Sequence, residues 1–247
     1  MGEASAIEWT TNTWNPWQGC DHVSPGCANC YMYSEKRRYG QDPEVVIRSK
    51  PATFRKPLTW QRDHAARTHP LIRPLVFTCS WSDFFHKDAD PWRDEAWSFV
   101  KHCPDLIFQI LTKRIGLVPA RLPPDWGEGY PNVWLGVSAE DAEWWDRRVP
   151  ALAEIPAAVR FVSYEPALGP VPNAHLDGID WVIAGSESGN GARPANVDWY
   201  RSMRDQCVAN AVKFFYKQHA RDGVKFSTPM LDGRKWVEWP AGYGAAT

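Results

Sequence analysis

Leu106-Ile107-Phe108-Gln109-Ile110-Leu111, running into Thr112-Lys113-Arg114, is the stretch from which the rest of the chain can be read. A strand with one wet face alternates apolar and polar residues. This one is apolar almost without interruption and then stops on polar residues, the pattern of a strand buried on both faces of a parallel sheet. Five further runs share it: Leu75-Val76-Phe77-Thr78-Cys79, Val133-Trp134-Leu135-Gly136-Val137, Arg160-Phe161-Val162-Ser163-Tyr164, Trp181-Val182-Ile183-Ala184-Gly185 and Lys213-Phe214-Phe215-Tyr216. Between them, helical apolar stripes span Asp90 to Cys103, Ala139 to Leu152 and Val197 to Ala211. Strand–helix–strand order predicts right-handed crossovers and an α/β fold on a parallel sheet, open or closed into a barrel.

Each run ends on polar residues: Ser80, Ser82 and Asp83; Thr112, Lys113 and Arg114; Ser138 and Glu140; Glu165; Ser186 and Glu187; Lys217 and Gln218. In parallel α/β folds the C-terminal strand ends build the active site, so these residues are expected to converge on one cup. The 247 residues suffice for a core that needs no covalent staples. No run of about 18 apolar residues predicts a membrane span. The N-terminus carries no secretory pattern, and the expected compartment is the cytoplasm.

Residues 31–75 carry ten Lys or Arg (Lys36, Arg37, Arg38, Arg48, Lys50, Arg55, Lys56, Arg62, Arg67 and Arg73) against four acids, with Tyr39, Phe54 and Trp60 interleaved. That mixture suits a phosphate-bearing partner or a solvated face. Cys79, Cys103 and Cys207 lie in apolar periodic segments and read as buried thiols.

The remaining cysteines crowd into Trp14-Asn15-Pro16-Trp17-Gln18-Gly19-Cys20-Asp21-His22-Val23-Ser24-Pro25-Gly26-Cys27-Ala28-Asn29-Cys30-Tyr31, a C-x6-C-x2-C pattern. Three thiolates in one loop point to metal. Structural zinc needs four ligands, and His22 with Cys20, Cys27 and Cys30 would complete such a set. An iron–sulfur cube on three cysteines instead leaves one iron open for chemistry. Both readings stand at this level, the second as an enzyme and the first as a zinc-stapled nucleic-acid-binding module without catalysis.

The Trp14–Tyr31 stretch resembles the signature of the phage-associated three-cysteine-motif proteins, a radical-SAM-like family. The likeness continues through Ser80-Trp81-Ser82-Asp83-Phe84-Phe85, Gln109–Arg114, Leu135-Gly136-Val137-Ser138-Ala139-Glu140, Ser163–Pro170, Gly185-Ser186-Glu187-Ser188-Gly189 and Phe214–Gln218. The resemblance implies a partial (βα)6 TIM-like barrel of the radical SAM type over 1–247. Its parts would be a cluster-binding loop (12–31), a basic insertion (32–74), a barrel core (75–218) and a C-terminal extension (219–247). It implies a [4Fe–4S] cluster on Cys20, Cys27 and Cys30 whose open iron binds S-adenosyl-L-methionine. Reduction by a partner protein would then yield a 5′-deoxyadenosyl radical. The chain departs from the common C-x3-C-x2-C spacing, and Asn29 stands where an aromatic residue usually lies.

On that reading Asp83 would receive the methionyl ammonium, and Lys113 or Arg114 the carboxylate. Ser138 and Glu140 would take the ribose hydroxyls, with Tyr31 and Ser80 as further cofactor contacts. Glu165, Glu187 and Lys217 are the catalytic candidates. Phage association, the basic stretch and the fifteen tryptophans point to a nucleic acid, nucleotide or nucleoside as substrate.

Overall fold

A computed structural model describes residues 5–66, 72–189, 191–221, 224–240 and 243, the side chain of Arg221 excepted. Arg67 of the basic stretch lies outside them. The architecture is mixed α/β, built on a mostly parallel, strongly curled eight-stranded sheet that forms a half-barrel.

The strands lie side by side in chain order: β1 (Asn12–Trp14), β2 (Leu75–Thr78), β3 (Ile107–Thr112), β4 (Val133–Ser138), β5 (Val159–Tyr164), β6 (Trp181–Gly185), β7 (Lys213–Arg221) and β8 (Val224–Ser227). The first seven are parallel, and β8 folds back antiparallel to β7. All six apolar runs are strands. β1 is only three residues long, and β8 is exposed along its length, so neither carries a buried-strand pattern. Strand β7 also runs past residue 218, so part of the expected C-terminal extension belongs to the sheet.

The uninterrupted apolar runs follow from two buried faces. Val76, Phe108, Leu135, Val162, Val182 and Phe214 point outward into the layer shared with the helices. That layer receives Trp97 and Val100 of α3 (Asp90–His102), Trp145 and Val149 of α4 (Ala142–Ala153), and Tyr200 and Met203 of α5 (Val197–Ala209). Alternate residues face the inside of the curl: Phe77, Ile107, Trp134, Phe161, Trp181 and Phe215. Trp9 enters this inner cluster from the N-terminal segment, 4.6 Å from Phe77 between ring centroids, and Trp239 from the C-terminal segment, 5.1 Å from Trp181. Gly136 of β4 has no side chain because the Phe161 ring occupies that space, with its atoms 2.5 Å from where a Cβ would stand. Gly136→Ala is therefore expected to cost about 1–3 kcal/mol by overpacking, read as a lower urea midpoint at unchanged m value.

Two crossovers depart from the strand–helix–strand expectation. The β3–β4 connection holds only short 3-10 turns, and the β5–β6 connection has no helix. The first contains Pro119, Pro123, Pro124, Gly127 and Gly129; the second contains Pro166, Gly169, Pro170, Pro172 and Gly178. Prolines at that density remove the amide donors a helix needs.

The β1–β2 connection holds the cysteine loop, α1 (Tyr31–Arg38) and α2 (Lys56–Ala65). Its basic residues divide by role. Lys36 is buried and donates to the Val45 carbonyl, Arg48 pairs with Glu95 at 2.6 Å, and Arg73 donates to the Leu106 carbonyl at 3.3 Å. Phe54 and Trp60 are core residues, whereas Tyr39 is 68% exposed. None of the fifteen tryptophans is exposed. Most of them fill the two cores, and only Trp9 and Trp81 also line the cavity described below. Among the described residues no helix is long and apolar enough to cross a membrane.

Candidate functional site

The C-terminal ends of the parallel strands meet the cysteine loop at a cavity of about 500 Å³. Cys20, Cys27 and Cys30 all line it, as do Tyr31, Ser80 and Asp83. Of the other residues read from the sequence, Ser82, Thr112, Lys113, Arg114, Ser138, Glu165, Ser186, Glu187, Lys217 and Gln218 line it too. Glu140 does not line the cavity. It is fully buried beneath the loop.

Local anchors fix the loop. The indoles flanking it are buried, Trp14 donating to the Phe54 carbonyl and Trp17 to the Asp83 carbonyl, both at 3.1 Å. The Asn15 side chain accepts from the Trp81 amide at 2.9 Å and reaches Ser80 Oγ at 3.0 Å, tying the loop to the end of β2. Gly19 has φ +103°, and a Cβ there would stand 2.2 Å from the Val45 carbonyl oxygen, so this turn requires glycine. Cys27 closes a 3-10 turn from Pro25, and Cys30 sits at the start of α1. Burial pushes the Cys20 thiol up to about 12, with Arg114 pulling the other way; burial raises Cys30 also.

His22 is exposed, its ring 4.4 Å from that of Tyr33, and it does not line the cavity with the thiols. Among the described residues no three His, Cys, Asp or Glu side chains converge on a point that would hold a single ion.

Glu140 supports the loop from below. Its carboxylate accepts from Ser24 Oγ at 2.6 Å, from Arg148 Nη1 at 3.0 Å and from Lys113 Nζ. Burial pushes this carboxyl up, but the Lys113 and Arg148 cations outweigh burial and hold it below the usual carboxylate range. Gly26 makes the close approach possible, since a Cβ there would lie 2.4 Å from Glu140 Oε1.

Asp83 is a strut between β2 and β3. It accepts from the Phe85 amide, Thr112 Oγ1, the Lys113 amide and Arg114 Nη1, at 2.7–3.2 Å. With four protein donors it is already occupied in the role expected toward a ligand ammonium. Arg114 extends this network to Asp21 and, at 3.5 Å, to Cys20 Sγ, where its positive charge favours a thiolate.

Glu187 forms a latch. It accepts from Asn29 Nδ2 at 2.8 Å and from the Arg193 amide at 2.8 Å, while the Arg193 guanidinium reaches both Glu187 and the Pro25 carbonyl. The β6–α5 connection is thereby fastened to the cysteine loop. Burial raises this carboxyl, but the hydrogen bonds from Arg193 and Asn29 hold it low. Sequence reasoning missed Ser24, Asn29, Arg148 and Arg193. Ser24 and Asn29 reach Glu140 and Glu187 across 116 and 158 residues and Arg193 reaches Pro25 across 168, while Arg148 is only eight residues from Glu140 but carries no motif that marks the contact.

Glu165 and Lys217 pair at 2.6 Å inside the cavity, each side chain mostly buried. The Tyr31 ring is 52% exposed at the mouth, with its hydroxyl donating to the Ser80 carbonyl at 2.6 Å.

No curated protein and no solved structure matches the chain. The sequence model of a family described as "Protein of unknown function (DUF5131)" matches residues 4–240, nearly the whole chain, and the protein belongs to that family.

Proposed function

We propose that this protein is a radical S-adenosylmethionine enzyme carrying a [4Fe–4S] cluster on Cys20, Cys27 and Cys30, and that it modifies a nucleic acid, nucleotide or nucleoside. Its half-barrel would then be a partial barrel of the radical SAM type, working in the cytoplasm with a reductant protein. The observation that carries the reading is the shared cavity, in which one loop contributes three thiols to the same space as polar side chains from the ends of six strands, capable of acid–base or hydrogen-bonding work. Against the zinc-stapled module stands His22, exposed and apart from the thiols.

When bound, the cluster would supply the electron that splits the sulfonium of S-adenosylmethionine into methionine and a 5′-deoxyadenosyl radical. The chain's own residues do the rest. Glu140, through Ser24, holds the loop at one fixed height above the strand ends. Arg114 stabilises negative charge on Cys20 Sγ. Ser138, Ser163 and Ser186, all buried at the cavity wall, offer hydroxyls to a sugar. Glu187 and Arg193 keep the loop fastened while the site is filled. Glu165 and Lys217, paired at 2.6 Å, present an acceptor and a donor side by side to the substrate.

The test is anaerobic reconstitution of the full chain with iron and sulfide, followed by reduction in the presence of S-adenosylmethionine. A brown protein that releases 5′-deoxyadenosine is expected. A colourless protein retaining one zinc, or an iron-loaded one that never cleaves the cofactor, overturns the proposal.

A further inference from the structure

We infer that the Glu165–Lys217 pair is a reading head for the edge of a single nucleobase, presented as a nucleoside or an unpaired nucleotide; this rests on the function proposed above and names the substrate contact within it.

The geometry is built for the pair. Glu165 follows the end of β5 and Lys217 lies on β7, with β6 between them. The β6–β7 register runs Ala184 with Tyr216 and then Gly185 with Gln218, so Lys217 is the extra residue of a bulge. A bulge re-aims one side chain without ending the strand. Gly185 leaves the intervening strand bare: a Cβ there would stand 3.4 Å from the Glu165 carboxyl carbon and 3.0 Å from Gln218 Cγ. Gln218 is fixed beside it by donating to the Ser186 carbonyl at 2.6 Å. Bulge and glycine together let a cation and a carboxylate meet across β6, both facing the cavity.

One Glu165 oxygen accepts from Lys217. Among the described residues, no protein hydrogen bond reaches the other oxygen or the remaining Lys217 N–H groups, while the Glu8 carboxylate acts on the Lys217 charge from farther off. The pair therefore presents one acceptor beside one donor. Its charges neutralise each other, so what faces the cavity is a dipolar edge with no net charge. The complement is a neutral planar edge with an N–H beside a carbonyl or ring nitrogen, which every nucleobase carries. A free amino acid would bring two full charges about a tetrahedral centre, and both would need dehydration against a pair whose own charges already offset each other. The same cavity is lined by the planar rings of Trp9 and Phe77 and by the aliphatic Leu111. A cavity of about 500 Å³ excludes a duplex, so a base would have to enter unpaired.

The test is calorimetric titration of the full chain, as purified and after anaerobic reconstitution, with adenosine, guanosine, cytidine and uridine, and with single-stranded oligonucleotides of each base. The wild type is expected to bind with a ranking by base. E165Q and K217M should each weaken the preferred base about 5- to 150-fold, the effect of losing one bidentate base contact. The exchanged pair E165K/K217E, which keeps the ion pair and reverses its polarity, should change the ranking. Its melting temperature reports whether it folds, and E165Q carries the test if it does not. Binding of oligonucleotides alone would assign the source to a strand, and binding of nucleosides would assign it to free ligands. Base-blind binding, affinity untouched in E165Q and K217M, or no binding by the wild type overturns the inference. If reconstituted protein releases 5′-deoxyadenosine but binds no base, this inference fails and the proposed function stands. If bases bind with the expected ranking but iron never loads, the proposed function fails and the reading head stands.

Discussion

Glu140→Ala is expected to destabilise the protein by about 3–5 kcal/mol, the usual cost of removing one partner from a buried ion pair. The size of the effect comes from what would be left behind. Lys113 is 19% exposed at its side chain and can turn to solvent, whereas Arg148 is 3% exposed and cannot. Its Nη2 already lacks a partner, and its guanidinium lies 4.1 Å from the centre of the Trp144 ring. The variant would bury an uncompensated cation and leave the Ser24 hydroxyl without its acceptor. Chemical denaturation of the wild type and variant measures the difference; a change below about 1 kcal/mol would mean that Arg148 finds another anion. The pH dependence has a definite sign. The Glu140 carboxyl is lower in the folded protein than its ordinary value of 4.5. Its contribution is therefore complete above about pH 4.5 and is lost as the pH falls through the folded value. Glu140→Gln should flatten the melting temperature against pH below 4.5 and leave its slope near neutrality unchanged.

Alanine at any one of Cys20, Cys27 or Cys30 is expected to abolish cluster loading, taking reconstituted iron from about four atoms per chain to near none. Two thiolates and an open wall cannot retain the cube. Cys103→Ala and Cys207→Ala are the controls. Both thiols lie wholly buried in the layer between sheet and helices, away from the cavity. These variants should lose some stability and keep their iron. Iron and sulfide analysis with the visible absorption spectrum separates the two groups. Equal iron loss from all five variants would place the metal elsewhere.

The strands were legible because burial on both faces writes itself as an unbroken apolar run, and five of the six runs alternate between the two cores residue by residue. Helices α3, α4 and α5 were legible to within about three residues at their ends. β1 was not, because Asn12-Thr13-Trp14 is too short and too polar to carry a pattern. Most tryptophans turned out to be packing residues: a residue type that can stack on bases can also fill a core, and only Trp9 and Trp81 reach the cavity. Glu140 misled for a related reason. As a polar residue after a strand it read as a ligand contact, but the next helix brings Arg148 beneath it and buries it under Gly26. The cysteines and most strand-end polar residues were found because topology alone brings them together. Ser24, Asn29 and Arg193 were not, because their roles exist only after the loop and the strand ends have met.

The aromatic filling of the half-barrel has one more consequence. With Trp9, Trp134, Phe161, Trp181 and Trp239 stoppering its lower half, the chamber is a blind alley. On the proposed function, a molecule seated against those rings would have to enter before, and leave after, one held nearer the mouth, and a kinetic pattern of compulsory order is the expected result.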